Sequence, residues 1–469
     1  MGIYVNPGNE NFESAVNSEI YVDKTGLLKH INHMIGTEQR YVCVSRPRRF
    51  GKSMAADMLA AYYGKGCSSK ELFQGLDISK DEGFEKYLNR YDVIKLDMTT
   101  FRREGESAAL LLKRLNTEVI DELREKYTGA VKEGENYLPS ALADIYKMAG
   151  TSFIVIIDEW DEIFRENKFD ISAQDTYVEL LRGLFKGGPS KKFMKLAYLT
   201  GILPIKKYNS ESALNNFREF TMTNPKRFAE YVGFTKEEVE ELCKRYGMSF
   251  IEAERWYDGY SFRKLQHIYS PNSVVNAMLD GEYGNYWTGA VAYESLKTYI
   301  SMNFDGLKDA VVQMLAGGRC KVDIHTFEND MANFRGKDDV LTILIHLGYL
   351  AYDSDAKEVY VPNEEVREAF GSAVKGTDWI TVIQAIQASD ALLKATWNCD
   401  GEAVAAGVDK VHMNNTSIFT YNDENALSLV ITLAYYNAMN EYKLVREMPS
   451  GKGYADIIFL PRKQSDKPQ

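Results

Sequence analysis

The sequence predicts an α/β fold built on a mostly parallel sheet, and three stretches of chain predict it. The apolar run Tyr41-Val42-Cys43-Val44 leads directly into Ser45-Arg46-Pro47-Arg48-Arg49-Phe50-Gly51-Lys52-Ser53. A strand, a turn and a helix start in that order leave backbone N–H groups open to an anion. The run Phe153-Ile154-Val155-Ile156-Ile157 ends in Asp158-Glu159. Such continuous apolar character fits a strand buried on both faces, with its acids at the end where ligands sit in doubly wound sheets. A third strand, Lys195–Leu199, ends in Thr200-Gly201.

Each element has a chemical reading and a plainer one. The loop differs from the G-x-x-x-x-G-K-[ST] pattern in carrying Arg46 where the first glycine stands, so a chance Gly-Lys-Ser in a basic loop is the plain alternative. The helix-forming composition of Met54–Tyr63, with apolar residues at helical spacing, favours the phosphate loop. On that reading Arg48, Arg49, Phe50, Gly51, Lys52 and Ser53 bind ATP. The arginines, Arg46 among them, face its phosphates, and one of them is able to act as a charge-stabilising finger. Ser53 and Asp158 are then the Mg²⁺ residues, and Glu159 orients or deprotonates the attacking water. A solvated acidic turn is the alternative for Asp158-Glu159. Thr200 is placed to hydrogen-bond the γ-phosphate or the water, or is simply a residue turning from strand to loop.

Composition sets limits on this picture. The 469 residues are enough for two or three domains, and 45% hydrophobic content supports ordinary cores. With 67 acids against 56 bases the net charge is −11, so no broad attraction to nucleic acid is expected and any DNA contact has to be local. Cys43, Cys67, Cys243, Cys320 and Cys399 are odd in number and widely spaced. They predict a reduced intracellular protein without a disulfide frame or zinc site. His30 and His33 have no nearby acid or cysteine to complete a metal set. The start, Met1–Asn6, lacks a signal-peptide pattern, and no run approaches the ~20 apolar residues of a membrane span. The expectation is a cytoplasmic protein with no membrane partner; its oligomeric state cannot be read.

Beyond the third strand, Thr235-Lys236-Glu237-Glu238 reads as a capping box opening a helix, and Ser249–Tyr257 as a second helix. Tyr257-Asp258-Gly259-Tyr260 reads as a tight turn flanked by packing aromatics, and Asp23 as a helix cap or a nucleotide neighbour. Asp338–Leu350 predicts an amphipathic helix. The runs 351–353 and 358–362 predict a hairpin, which together make a winged-helix-like unit. That helix carries few basic residues, so packing or a lid role is favoured over reading DNA. Near the end, an apolar helix over 426–439 is followed by strands Tyr442–Arg446 and Tyr454–Leu460 around a turn at Ser450–Gly453.

The motifs Tyr21-Val22-Asp23-Lys24-Thr25, Arg46–Ser53, Ile157-Asp158-Glu159-Trp160-Asp161 and Leu199-Thr200-Gly201 resemble, in order, those of the AAA-ATPase-like family of bacterial proteins. Trp256–Tyr260, Tyr269-Ser270-Pro271 and Asn285-Tyr286-Trp287 extend the resemblance over roughly residues 1–300, and the family's own loop carries arginine at the Arg46 position. The resemblance implies a P-loop NTPase core over 1–235, a helical and winged-helix-like region over 236–375, a helical linker over 376–410 and a partial PD-(D/E)xK nuclease-like domain over 411–469. It also implies a nuclease Mg²⁺ site begun by Glu424 and Asp456. The Glu-x-Lys strand that completes such a site is not reached before Gln469, so the expectation is a truncated chain that does not cut DNA. The function expected is an ATPase switch for a nuclease effector, with DNA as a partner through the full nuclease domain. The alternatives are a non-hydrolysing ATP-dependent interaction module and a winged-helix DNA-binding regulator.

Overall fold

The computed structural model describes all residues except 1, 104, 206–213, 263–264, 288–295, 303, 316, 329–330, 332, 376–379, 415–427, 429, 433, 437, 451–452 and 463–469. Its centre is a five-stranded sheet of β1 (Tyr41–Ser45), β2 (Asp92–Asp97), β3 (Phe153–Asp158), β4 (Met194–Gly201) and β5 (Arg218–Phe220), in the order β2-β3-β4-β1-β5. Every pairing is parallel. Parallel neighbours need long crossovers, and here helices supply them.

Strand periodicity sorts the side chains into two cores. Val42, Val44, Ile154, Ile156, Leu196 and Tyr198 join the cluster on the face covered by the helix Lys52–Tyr63. Tyr41, Cys43, Val155, Ile157, Ala197 and Leu199 join the opposite cluster with helices Ala108–Lys126, Leu138–Ala149 and Ile171–Phe185. The central strands β1 and β3 therefore read as nearly unbroken apolar runs, because both their faces are covered. The outer edge of β2 is closed by the N-terminal segment: Val5 bridges Ile94, and Asn6 exchanges side-chain hydrogen bonds with Asp92 and the Val93 N–H.

Two smaller sheets follow. One combines β6 (Phe234–Thr235), β7 (Tyr260–Phe262) and β8 (Leu265–Tyr269) in the order β6-β8-β7, packed with helices Lys236–Tyr246, Phe250–Tyr257 and Pro271–Asp280 around a separate small core. The expected capping box is present: the Thr235 Oγ1 accepts from the Glu238 N–H, and the Thr235 N–H donates to the Glu238 carboxylate. The other sheet orders β9 (Cys320–Lys321), β10 (Ala351–Asp353) and β11 (Glu358–Tyr360) as β10-β11-β9, and β10 and β11 form the expected antiparallel hairpin.

The helix before that hairpin, Lys337–Leu347, departs from expectation: it is buried on all sides from Asp339 to His346 instead of being amphipathic. Its residues join the core cluster that also holds Val42 and Val44 of β1. Tertiary contact on every side removes the need for a polar face. At the C-terminus the helices Ile380–Trp397 and Gly401–Asn414 precede a two-stranded antiparallel hairpin of β12 (Tyr442–Ser450) and β13 (Gly453–Pro461). Asp456 is an exposed residue of β13. Glu424 lies outside the described residues.

Candidate nucleotide site

The parallel register brings the ends of β1, β3 and β4 to one level. Val44 pairs with Thr200, Ser45 with Gly201, and Ile157 with Leu199. The chain then leaves β1 through the loop, and the Arg46 N–H donates to the Gly201 carbonyl at 3.0 Å. Gly51, at φ 87°, turns the chain into the helix Lys52–Tyr63, which starts without a side-chain cap. A residue with a Cβ pays a steric penalty in that left-handed conformation. The uncapped N–H groups and the positive end of the helix dipole make this turn favourable for an anion.

Around the loop the predicted residues converge. Lys52 is buried, its Nζ donates to the Pro47 carbonyl at 2.9 Å and lies 3.6 Å from Glu159. Burial pulls its pKa down, while Glu159 and Asp158 act against that shift. The Asp158 Oδ1 accepts from the Thr200 hydroxyl and from the Glu159 N–H. Thr200 and Asp158 are both buried. Gly201 is needed here for close approach: a Cβ would lie 2.6 Å from Asp161 Oδ1 and 2.7 Å from the Trp160 ring.

Glu159 adopts φ 50°, a left-handed conformation uncommon for a residue with a Cβ, of a kind that collects at functional sites. Burial raises its pKa, and Lys52 and Arg165 oppose the rise. The missed residue is Arg165. It is buried, bonds Glu159, and also reaches Asp161 at 3.1 Å and Glu162 at 2.9 Å. Burial disfavours its charge, yet these carboxylates outweigh that and hold it firmly protonated. The i,i+4 and i,i+3 spacing to Asp161 and Glu162 was the sequence signal for it. Asp161 in turn accepts the N–H groups of Ile202 and Leu203, so it fixes the segment after β4.

Arg46 corrects one expectation. Its side chain does not face the phosphate loop's cavity but is fully buried behind the sheet end. There it donates to the carbonyls of Ser45 and Phe220, both at 2.9 Å, and stacks over Phe262 at 5.5 Å. Burial lowers its pKa to about 10, and among the described residues no carboxylate pairs with it. The position therefore stitches β1 to β5 instead of binding phosphate. Arg48 and Arg49 do line the cavity, and Arg49 also donates to the Tyr286 carbonyl at 2.7 Å. Asp23 is committed elsewhere: it accepts from the Thr25 and Asp77 N–H groups.

The cavity has a volume of about 570 Å³, within the size range of small-ligand sites. One wall is the loop and Lys52, Ser53 and Glu159; the others are Ile20–Val22, Tyr231–Phe234 and the helix face of Pro271, Asn272, Val275 and Asn276. It thus opens between the five-stranded sheet and the β6-β8-β7 unit. A second cavity, about 1070 Å³, lies around Thr221, Arg227, Phe262 and His346 and contains none of the loop or strand-end residues. The smaller one pairs apolar walls with a polar, cationic floor, which suits a ligand with a flat ring and an anionic tail.

Among known proteins, an uncharacterised protein encoded in the vnfD 5′ region of Azotobacter chroococcum mcd 1 is 24% identical over 276 residues, covering 57% of this chain. The match covers 50% of that relative, so the chain spans about half its length. Among solved structures, the Aeropyrum pernix ORC2 protein in its ADPNP–ADP complexes aligns at a TM-score of 0.35 and 12% identity, over 80% of this chain and 98% of that one. The Aeropyrum pernix ORC1 protein in complex with DNA aligns at 0.31 and 10% identity, over 79% and 98%. Over residues 7–209 the chain matches the model of the AAA-ATPase-like family, described as predicted AAA-ATPase.

Proposed function

We propose that this chain is a Mg²⁺-dependent ATPase that works as a nucleotide-driven switch. The observation that carries the reading is the convergence of Lys52, Asp158, Glu159 and Thr200 at one end of a parallel sheet, beside a cavity floored by an uncapped helix start. The loop from Arg48 to Ser53 binds the phosphates, with Lys52 neutralising their charge as it builds up during transfer. Mg²⁺ fits the donors present: the Ser53 hydroxyl lines the cavity, and Asp158 keeps Oδ2 without a hydrogen bond among the described residues. When bound, that ion supplies charge neutralisation at the phosphate oxygens.

Glu159 is the base that prepares water. Burial raises its pKa, the direction that makes it a better proton acceptor, and its ties to Arg165 and Lys52 have to loosen before it takes a proton. Thr200 holds the Asp158 carboxylate in place, and on this reading it senses the γ-phosphate through that carboxylate. A second reading, nucleotide-gated interaction without turnover, is favoured by that same restraint of Glu159 by Arg165. The wider role we read is regulation of a nuclease-type C-terminal module, supported by the β12-β13 hairpin with Asp456 exposed on it. DNA is the partner that role implies, through the full nuclease domain and not through the buried helix Lys337–Leu347.

The test uses two substitutions. Lys52→Ala is expected to abolish the rise in melting temperature that ATP and Mg²⁺ produce. Glu159→Gln is expected to keep that rise while phosphate release falls by roughly 100-fold or more. Stabilisation that survives Lys52→Ala removes the loop assignment, and turnover unchanged in Glu159→Gln removes the base.

A further inference from the structure

A second cluster of ligating side chains lies away from the phosphate loop, in the β6-β8-β7 unit. Glu254 and Asp258 come from the end of the helix Phe250–Tyr257 and the turn after it, and His267 from β8. One ligand atom from each lies within 4.8 Å of the other two. Donors around a zinc-sized ion, each about 2.0–2.2 Å from it, sit roughly 3–4 Å apart, so small side-chain adjustments suffice. We propose that Glu254, Asp258 and His267 form a binding site for one divalent cation of the zinc class.

Two unsatisfied groups point to a missing ligand. The Asp258 side chain is about nine-tenths buried, and among the described residues its Oδ1 has no hydrogen-bond partner, although its Oδ2 meets His267 Nδ1 at 2.6 Å. The Tyr269 hydroxyl is likewise buried without a partner among the described residues. It stands two residues after His267 on β8. Leaving buried oxygens unpaired is costly, and a bound cation with its water satisfies both.

The donor set narrows the ion. One imidazole and two carboxylates suit a borderline first-row cation such as Zn²⁺ better than Mg²⁺ or Ca²⁺, which prefer all-oxygen sites. Among the described residues, the Glu254 carboxylate has a long ion pair to Lys236, at 3.8 Å, to give up. The backbone of Asp258 is held by Asn363, whose Nδ2 donates to its carbonyl at 2.8 Å, so the buried ligand is fixed before the ion arrives. The consequence is a cross-link from the helix Phe250–Tyr257 to β8, within the small core that also contains Ile20 and Phe234 of the nucleotide cavity wall.

The test takes the whole chain stripped with a chelator and free of nucleotide. It is titrated with Co²⁺ followed by visible absorption, and with Zn²⁺ in competition with a chromophoric chelator. One Zn²⁺ per chain is expected to displace Co²⁺, with affinity weakened about 10-fold or more in His267→Gln and in Glu254→Gln. Both side chains are partly exposed, so these variants retain the fold, checked by circular dichroism. Cys399→Ser, which removes the exposed thiol, is expected to bind as the parent does. No stoichiometric Zn²⁺, or parental affinity in His267→Gln, overturns the proposal and leaves Asp258 and His267 as an ion pair alone.

Discussion

At the scale of single residues, burial sets the behaviour of the charged groups that matter. Glu365, on the helix Glu364–Lys375, is almost fully buried and accepts hydrogen bonds from the Ser273 hydroxyl and the N–H groups of Tyr286 and Trp287. Desolvation outweighs these donors and raises its pKa to about 7. The folded protein therefore holds this proton across a range where the unfolded chain, titrating near the usual glutamate value of about 4.3, has lost it. Its contribution to stability is fully present below that value, falls as pH rises towards 7, and is flat above. At roughly 1.4 kcal/mol per unit, the loss across the window is on the order of 4 kcal/mol. Urea denaturation of the parent and Glu365→Gln between pH 4.5 and 8 checks this. The variant is expected to lack that part of the slope, and an unchanged slope assigns the pH dependence to other groups. Residue identity alone does not reveal this, because the groups that surround Glu365 lie far away in sequence. Arg46 was misread for the same reason, since Phe220 and Phe262, which receive its side chain, are distant in the chain.

At the scale of elements, local chemistry was legible at several places where the partners are close in sequence, although the Arg165 spacing to Asp161 and Glu162 went unread. The strand, loop and helix over Tyr41–Tyr63, the acids ending β3 and the cap at Thr235 are each written within a few residues. The helix Lys337–Leu347 was not, because its apolar pattern is filled out by contacts on every side. The cap also carries a long-range tie: Lys24 Nζ, largely buried, meets Glu238 at 2.6 Å. Burial pulls the Lys24 pKa down, and Glu238 opposes that shift. Thr235→Ala is expected to cost about 1 kcal/mol through loss of the cap alone. Glu238→Ala removes the cap's second half and leaves Lys24 buried without its carboxylate, so about 3 kcal/mol or more is expected. Chemical denaturation of both variants measures the difference, and equal costs would mean that the Lys24 pair adds nothing.

At the scale of the whole molecule, the candidate nucleotide cavity is shared between units that are far apart in the chain. The loop and Ile20–Val22 come from one side, and Tyr231–Phe234 with the helix Pro271–Asp280 from the other. Arg49 spans the two by donating to the Tyr286 carbonyl, and the adjoining N–H groups of Tyr286 and Trp287 donate to Glu365. A continuous set of hydrogen bonds thus runs from the loop Arg46–Ser53 to the helix Glu364–Lys375, which packs in the same core as β1. A ligand that pulls on Arg49 has a physical route to that helix, whereas one that merely fills the loop does not. Hydrogen exchange with and without saturating ATP and Mg²⁺ separates the two. Slower exchange is expected at Lys52–Ala55, in the helix Pro271–Asp280 and around Glu364–Lys375, with all three changes absent in Lys52→Ala. Arg49→Ala is expected to keep protection at the loop but lose most of it around Glu364–Lys375. Protection confined to the loop in the parent chain would show that the cavity's far wall takes no part in binding and that the switch has no lever on the rest of the molecule.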